Sequence, residues 1–219
     1  MKLIKLIQIT TLFLGILLMV ACRPESKSND EAALALLLLD GSLRPVVESE
    51  GCEVRDRVTT TGGPPNDTEV NATSTKSWVC VSLTAGGLEV NQSEAWDLRF
   101  RRFVIGTNSG TSGSGNGGAC DTGNTNFASV NAGSIAGCVF QVDTNQSQSG
   151  GGGFGDFNDS ASPVLFNWYN YANTVLTSKG DVYIIKSQSG TKHFKIQISD
   201  YYKDGAVSGY PRFIWEALD

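Results

Sequence analysis

From Trp78 onward the apolar residues come in short runs, each cut off by Gly, Ser, Asn or Thr. The runs cover 78–83, 96–105, 138–143, 182–186, 194–198 and 210–216. Trp96, Leu98 and Phe100 alternate with Arg99 and Arg101, the period-2 pattern of a strand with one buried face. The phase then slips, because Phe103 and Ile105 fall on the other parity. A bulge near Arg101 and Arg102 would reconcile the two halves. Residues 182–186 and 194–198 flank Ser-Gln-Ser-Gly-Thr, a hairpin signal. In 210–216 Phe213 and Trp215 share a face, and Pro211 predicts an edge strand or a strand start. Residues 59–77, rich in Thr, Gly, Pro and Asn, read as loop. No long amphipathic helix is visible. The pattern predicts an all-β protein with one antiparallel domain, sandwich or barrel-like, over residues 51–219. Its long Gly/Ser/Asn loops fall at 59–77, 106–126 and 143–162.

The first fifty residues read differently. Lys2 and Lys5 precede a short apolar run, Leu12 to Leu18, and then Met19-Val20-Ala21-Cys22. A positive start, an apolar middle and small residues at a cut site describe a removable secretory leader over residues 1–21. A Cys directly after Ala21 resembles the bacterial lipoprotein signal, in which the Cys22 thiol is acylated. The apolar run is short for a bilayer span of about 20 residues. Residues 22–50 then form a lipidated N-terminus, a polar tether and a short helix. Asp30 caps that helix, Gly41 stops it, and Ala32 to Leu39 is apolar all round.

Charge narrows the partners. The chain carries −5, and losing Lys2 and Lys5 with the leader leaves 15 basic against 22 acidic residues. Nucleic-acid binding needs clustered positive charge and is not expected. Attachment to the lipid bilayer is expected through acyl chains on Cys22. Four further cysteines, Cys52, Cys80, Cys120 and Cys138, would meet oxidising conditions in an exported chain. Of the three connectivities, Cys52–Cys80 with Cys120–Cys138 closes the shortest loops and is favoured. Zinc is not expected, since there is no C-x-x-C pair and a single histidine.

Candidate chemistry is sparse. Gly113 to Gly118 matches G-x-G-x-x-G, but Ala119-Cys120-Asp121 is no helix start, so no nucleotide site is expected. Without a G-x-S-x-G elbow, and with His193 alone available as a base, an enzyme is not expected. His193 sits on the face opposite Phe194 and Ile196, a solvent-facing hairpin position and a weak metal candidate. Asp156 and Asp159 lack the spacing of a calcium loop. Arg99, Arg101 and Arg102 form a basic cluster within a strand. They either meet an anionic ligand or charge an exposed strand face against edge pairing. The Gly/Ser/Asn tract after Ile105 is either idle surface or a ligand-holding loop. A second glycine tract at 150–155 carries Phe154 and precedes Phe157, Phe166, Trp168, Tyr169 and Tyr171. These aromatics either clasp a planar ligand or pack the core.

Together the segments resemble the HmuY family of bacterial surface lipoproteins. The resemblance rests on Trp96-Asp97-Leu98-x-Phe100-x-Arg102 running into Thr107-Asn108-x-Gly110-x-Ser112-Gly113, and on Trp168-Tyr169-Asn170-Tyr171. It also rests on Val182-Tyr183-Ile184-Ile185-Lys186 with Phe194-Lys195-Ile196 and Asp200-Tyr201-Tyr202, and on Ser208-Gly209-Tyr210-Pro211. It implies an all-β fold, lipid anchoring at the outer membrane, and capture of haem between loops of the β domain. Host haem or extracellular proteins are the implied partners. In the family, paired His side chains, or Met in some relatives, hold the iron. This chain departs there: it has one histidine, and its two methionines, Met1 and Met19, lie in the leader. A single His or a Tyr can also hold haem iron; the tyrosines open to that role are Tyr169, Tyr171, Tyr201, Tyr202 and Tyr210. The expected function is therefore capture of haem or another planar ligand without paired ligands, with Arg99, Arg101, Phe154, Phe157, Trp168 and Tyr169 as candidate contacts. The alternative is a surface lipoprotein that has lost haem ligation and acts as an adhesin or envelope interaction protein.

Overall fold

The computed structural model describes residues 51–148 and 157–219. The leader, Cys22, the tether, the short helix and Phe154 lie outside the described residues. The described residues are almost entirely antiparallel β. Strands β1 (Val58–Thr61) and β2 (Asn66–Val70) form a hairpin, followed by β3 (Val79–Ser82), β4 (Leu88–Val90), β5 (Leu98–Arg101) and β6 (Val104–Thr107). Then come β7 (Gly118–Asn124), β8 (Thr144–Gln148), β9 (Phe157–Ala161), β10 (Tyr169–Ala172) and β11 (Val175–Ser178). The chain closes with β12 (Val182–Lys186), β13 (His193–Lys203) and β14 (Val207–Ala217).

Six strands form one sheet in the order β1-β2-β14-β13-β12-β7, and four form another in the order β4-β3-β5-β6. The sheets face each other as a sandwich: Phe100 of β5 stacks on Phe213 of β14 with ring centroids 5.5 Å apart. Trp78, Trp96, Leu98, Ile196 and Trp215 fill the space around that pair. Burial of this aromatic and β-branched set is the main driving force for the fold. The outer face of the six-stranded sheet is covered too. Val182 and Ile184 pack there under Val130, Phe127 and Ile135, carried by two short 3-10 turns between β7 and β8. With both faces covered, β12 reads as a continuous apolar run rather than an alternating one.

Both disulfides follow the short-loop pairing, Cys52–Cys80 and Cys120–Cys138. The first ties the start of the domain to β3, and the second clamps the covering segment onto β7.

Four features differ from the sequence reading. Residues 59–77 are not all loop, because β1 and β2 lie within 58–70, with Thr68 and Val70 buried. Threonine is a strong strand former, and its polar character hides the alternation. The phase slip after Arg101 is a chain reversal, not a bulge. Arg101 pairs with Val104, and Arg102 takes the left-handed φ of 53° that such a tight turn needs. Residues 138–143 form no strand; their ladder contact is a single bridge between Gln141 and Ala119. Pro211 lies in an internal strand. Its missing donor is tolerated because the β13–β14 register is irregular there and the β2 pairing starts only at Arg212.

Candidate functional site

Three buried polar side chains organise the tract that follows β5. Asp97 accepts the backbone N–H of Thr84 and of Gln188, each at 2.9 Å, and so joins loops that are far apart in sequence. Asn108 donates to the Trp96 carbonyl at 3.1 Å and accepts the Gly115 N–H at 3.0 Å. Asp143 accepts the Thr107 N–H at 2.8 Å, together with the hydroxyls of Thr107 and Ser112 at 2.5 Å each. Burial pushes the Asp143 carboxyl above the usual carboxylate range; its hydrogen bonds and Arg99 oppose that rise.

The glycines here serve close approach. A Cβ on Gly110 would run into the Asp143 carbonyl, and one on Gly113 would strike the Asn108 carboxamide and the Trp96 ring. The tract is therefore bonded inward along much of its length. Its outer rim, with residues 92–96 and the β12–β13 turn, walls a cleft of about 460 Å³.

Arg99 and Arg101 do not form an exposed face. Arg99 is buried, its guanidinium lies 4.1 Å from the Trp78 ring centre, and it donates to Ser112 Oγ at 2.9 Å and the Ser160 carbonyl at 2.7 Å. Its Nε has no hydrogen-bond partner among the described residues, and burial lowers its pKa. Arg101 lies 4.6 Å from the same ring centre and pairs with Asp159 at 2.7 Å. Both arginines thus grip β9. Strand β9 pairs with β8 and begins at Phe157; the second glycine tract lies outside the described residues.

Trp168 is buried and donates its indole N–H to the Phe103 carbonyl at 2.8 Å. It packs against Tyr169 and Tyr201 as part of the core. Tyr169 is half-buried, and Tyr171 on β10 is exposed. Tyr201 is buried, its hydroxyl has no hydrogen-bond partner among the described residues, and burial raises its pKa to about 12.

Iron or another metal would need donors that these residues do not group together. His193 is half-buried and held by Asp219, with Nδ1 2.7 Å from Oδ2. The four described cysteines are in disulfides. Among the described residues no three His, Cys, Asp or Glu side chains cluster in a metal-binding arrangement. Paired His or Met ligation of haem does not fit this residue set, with one histidine and both methionines ahead of Cys22.

The sequence reading missed Asp97, Asn108 and Asp143 as organising groups, and Gln92, Asn116 and Gln188 as cleft residues. No local signal marks them. Their partners lie 7 to 91 positions away, and Asn and Gln in loops are unremarkable one at a time.

The HmuY protein family matches residues 74–215. A comparison with curated proteins found no match. Solved structures share the fold. One, from Bacteroides vulgatus, is described as HmuY-like and haem-binding; it is 16% identical over 72% of this chain and 95% of its own, with a TM-score of 0.53. A lipoprotein from Bacteroides fragilis is 18% identical over 71% of this chain and 91% of its own, with a TM-score of 0.50. The apo form of an HmuY analogue from Tannerella forsythia is 18% identical over 75% of this chain and all of its own, with a TM-score of 0.51.

Proposed function

Because the chain belongs to the HmuY family, we propose that it is a non-enzymatic surface lipoprotein that binds its ligand without paired axial ligation of haem iron. In this reading residues 1–21 are removed, Cys22 is acylated and anchors the protein in the outer membrane, and residues 51–219 form the binding domain. The observation that carries it is the donor inventory: His193 is engaged by Asp219, the described cysteines are bridged, and both methionines precede Cys22. Haem capture by one oxygen ligand is the second reading. Tyr171 favours it, exposed on the β10–β11 hairpin beside the aromatic group of Trp168 and Tyr169. If haem is not held at all, the fold serves as an envelope interaction surface.

Two measurements test the proposal. Cells making the protein are labelled with palmitate and shaved with protease; label on the wild type but not on Cys22→Ser, with loss of the protein on shaving, is expected. Unlabelled wild-type protein would overturn the anchoring, and full protection from protease would overturn the surface exposure. A haemin titration with visible spectra tests the ligation.

A further inference from the structure

The cleft beside the first glycine tract takes no part in the reading above. We propose that it binds a neutral polyhydroxylated ligand, a short stretch of oligosaccharide, through carboxamide and hydroxyl groups that the fold leaves unused.

Its volume, about 460 Å³, suits a small ligand. Four carboxamides line it, those of Gln92, Asn108, Asn116 and Gln188, together with the hydroxyls of Ser93 and Ser114; the Asn108 carboxamide is already bonded to Trp96 and Gly115. Among the described residues, the side chains of Gln92, Ser93, Ser114, Asn116 and Gln188 find no hydrogen-bond donor or acceptor. The nearest approach is Gln92 Oε1, 3.8 Å from Cys80 Sγ, a disulfide sulfur with no proton to give. The Gln92, Asn116 and Gln188 carboxamides each offer both donors and an acceptor, the complement of a vicinal diol.

The charge and shape of the walls exclude other ligand classes. Among the described residues no Lys, Arg or His lines the cleft, so phosphates and carboxylates find no counter-charge there. Glu94, the one ionisable lining group among the described residues, already accepts the Asn91 N–H at 2.6 Å and the Asn91 carboxamide at 2.8 Å. The lining aromatic, Trp96, is only 1% exposed. A planar apolar ligand or an anchoring peptide side chain therefore gains no buried apolar surface there.

The walls are also fixed in advance. Asp97 holds the Gln188 backbone, Asn108 holds Gly115, and the Asn116 N–H reaches the Gln188 carbonyl at 2.7 Å. A cleft fixed in this way loses little entropy on binding, which suits a ligand held by polar contacts alone.

The full chain in detergent is titrated by calorimetry with neutral hexasaccharides of glucose, xylose, mannose and galactose, and with heparin and hyaluronan hexasaccharides. Saturable binding of at least one neutral sugar, and of neither acidic one, is expected. Asn116→Ala with Gln188→Ala should weaken it about tenfold, as loss of two neutral hydrogen bonds implies. Ser114→Tyr, at an exposed position, should plug the cleft and abolish binding, while Gln146→Ala on β8 should leave it unchanged. No binding of any neutral sugar, binding of the acidic sugars alone, or equal binding by the double variant and Ser114→Tyr would overturn the proposal. The haemin result bears on the family reading and leaves this one unaffected.

Discussion

The Asp143 carboxylate accepts the backbone N–H of Thr107 at 2.8 Å, with both residues shut off from solvent. This bond fastens the end of β6 to the entry of β8, 36 positions along the chain. Asp143→Ala would take the acceptor away from the buried Thr107 N–H and Ser112 hydroxyl. We expect a loss of about 3 kcal/mol in denaturant unfolding. A loss under about 0.5 kcal/mol would show that the carboxylate is not what holds the tract.

Asp143 also sets a pH dependence. Burial raises its folded-state pKa above the usual value. From the unfolded carboxyl value of about 3.9 up to the raised folded value, the native state therefore holds more protons than the unfolded state. The group's contribution to stability is complete below that window and is lost as pH rises through it. The stability difference between wild type and Asp143→Asn should shrink with rising pH. A difference that grows with pH would mean that the hydrogen bonds outweigh burial.

Arg99 and Arg101 should separate cleanly. Arg99→Lys loses the flat stack on Trp78 and the forked contacts to Ser112 and Ser160, at about 2 kcal/mol. Arg101→Ala removes a partly exposed ion pair to Asp159 and should cost less than about 1 kcal/mol. Thermal unfolding of the two variants checks the order; equal costs would contradict it.

Gly113 and Gly137 make a second contrast. Gly113→Ala drives a methyl group into Asn108 and Trp96, and about 2 kcal/mol is expected. Gly137→Ala meets nothing within 4 Å at an ordinary backbone angle and should stay within about 0.5 kcal/mol. Similar losses at both sites would mean that the tract is not packed inward.

Reduction should loosen one region selectively. The Cys120–Cys138 bridge spans 18 positions and holds the cover over Val182 and Ile184. Cys120→Ser with Cys138→Ser should cost about 3 kcal/mol. Limited proteolysis should then cut first within residues 125–141. First cleavage elsewhere would contradict the covering role.

Local patterns were legible where one element speaks for itself. The β12–β13 hairpin followed from two apolar runs around Ser-Gln-Ser-Gly-Thr, and the short-loop disulfide pairing matched the structure. Legibility failed where polar residues do structural work. The Thr-rich β1–β2 hairpin looked like loop because Thr68 is buried by the fold and not by its own hydrophobicity. The glycine tract stayed open between idle surface and ligand-holding loop because its partners, Asn108 and above all Asp143, reach it through non-local contacts. Arg99 looked exposed because alternation says which face a residue takes, not that the β9 strand covers that face.

Visible absorption of the full-length protein titrated with haemin, oxidised and reduced, tests the central claim most directly. With His193 held by Asp219 and no methionine after Met19, the account predicts no low-spin, six-coordinate spectrum at any ratio; any bound haemin stays high-spin. A saturable low-spin spectrum of the bis-histidine or histidine–methionine type would contradict it.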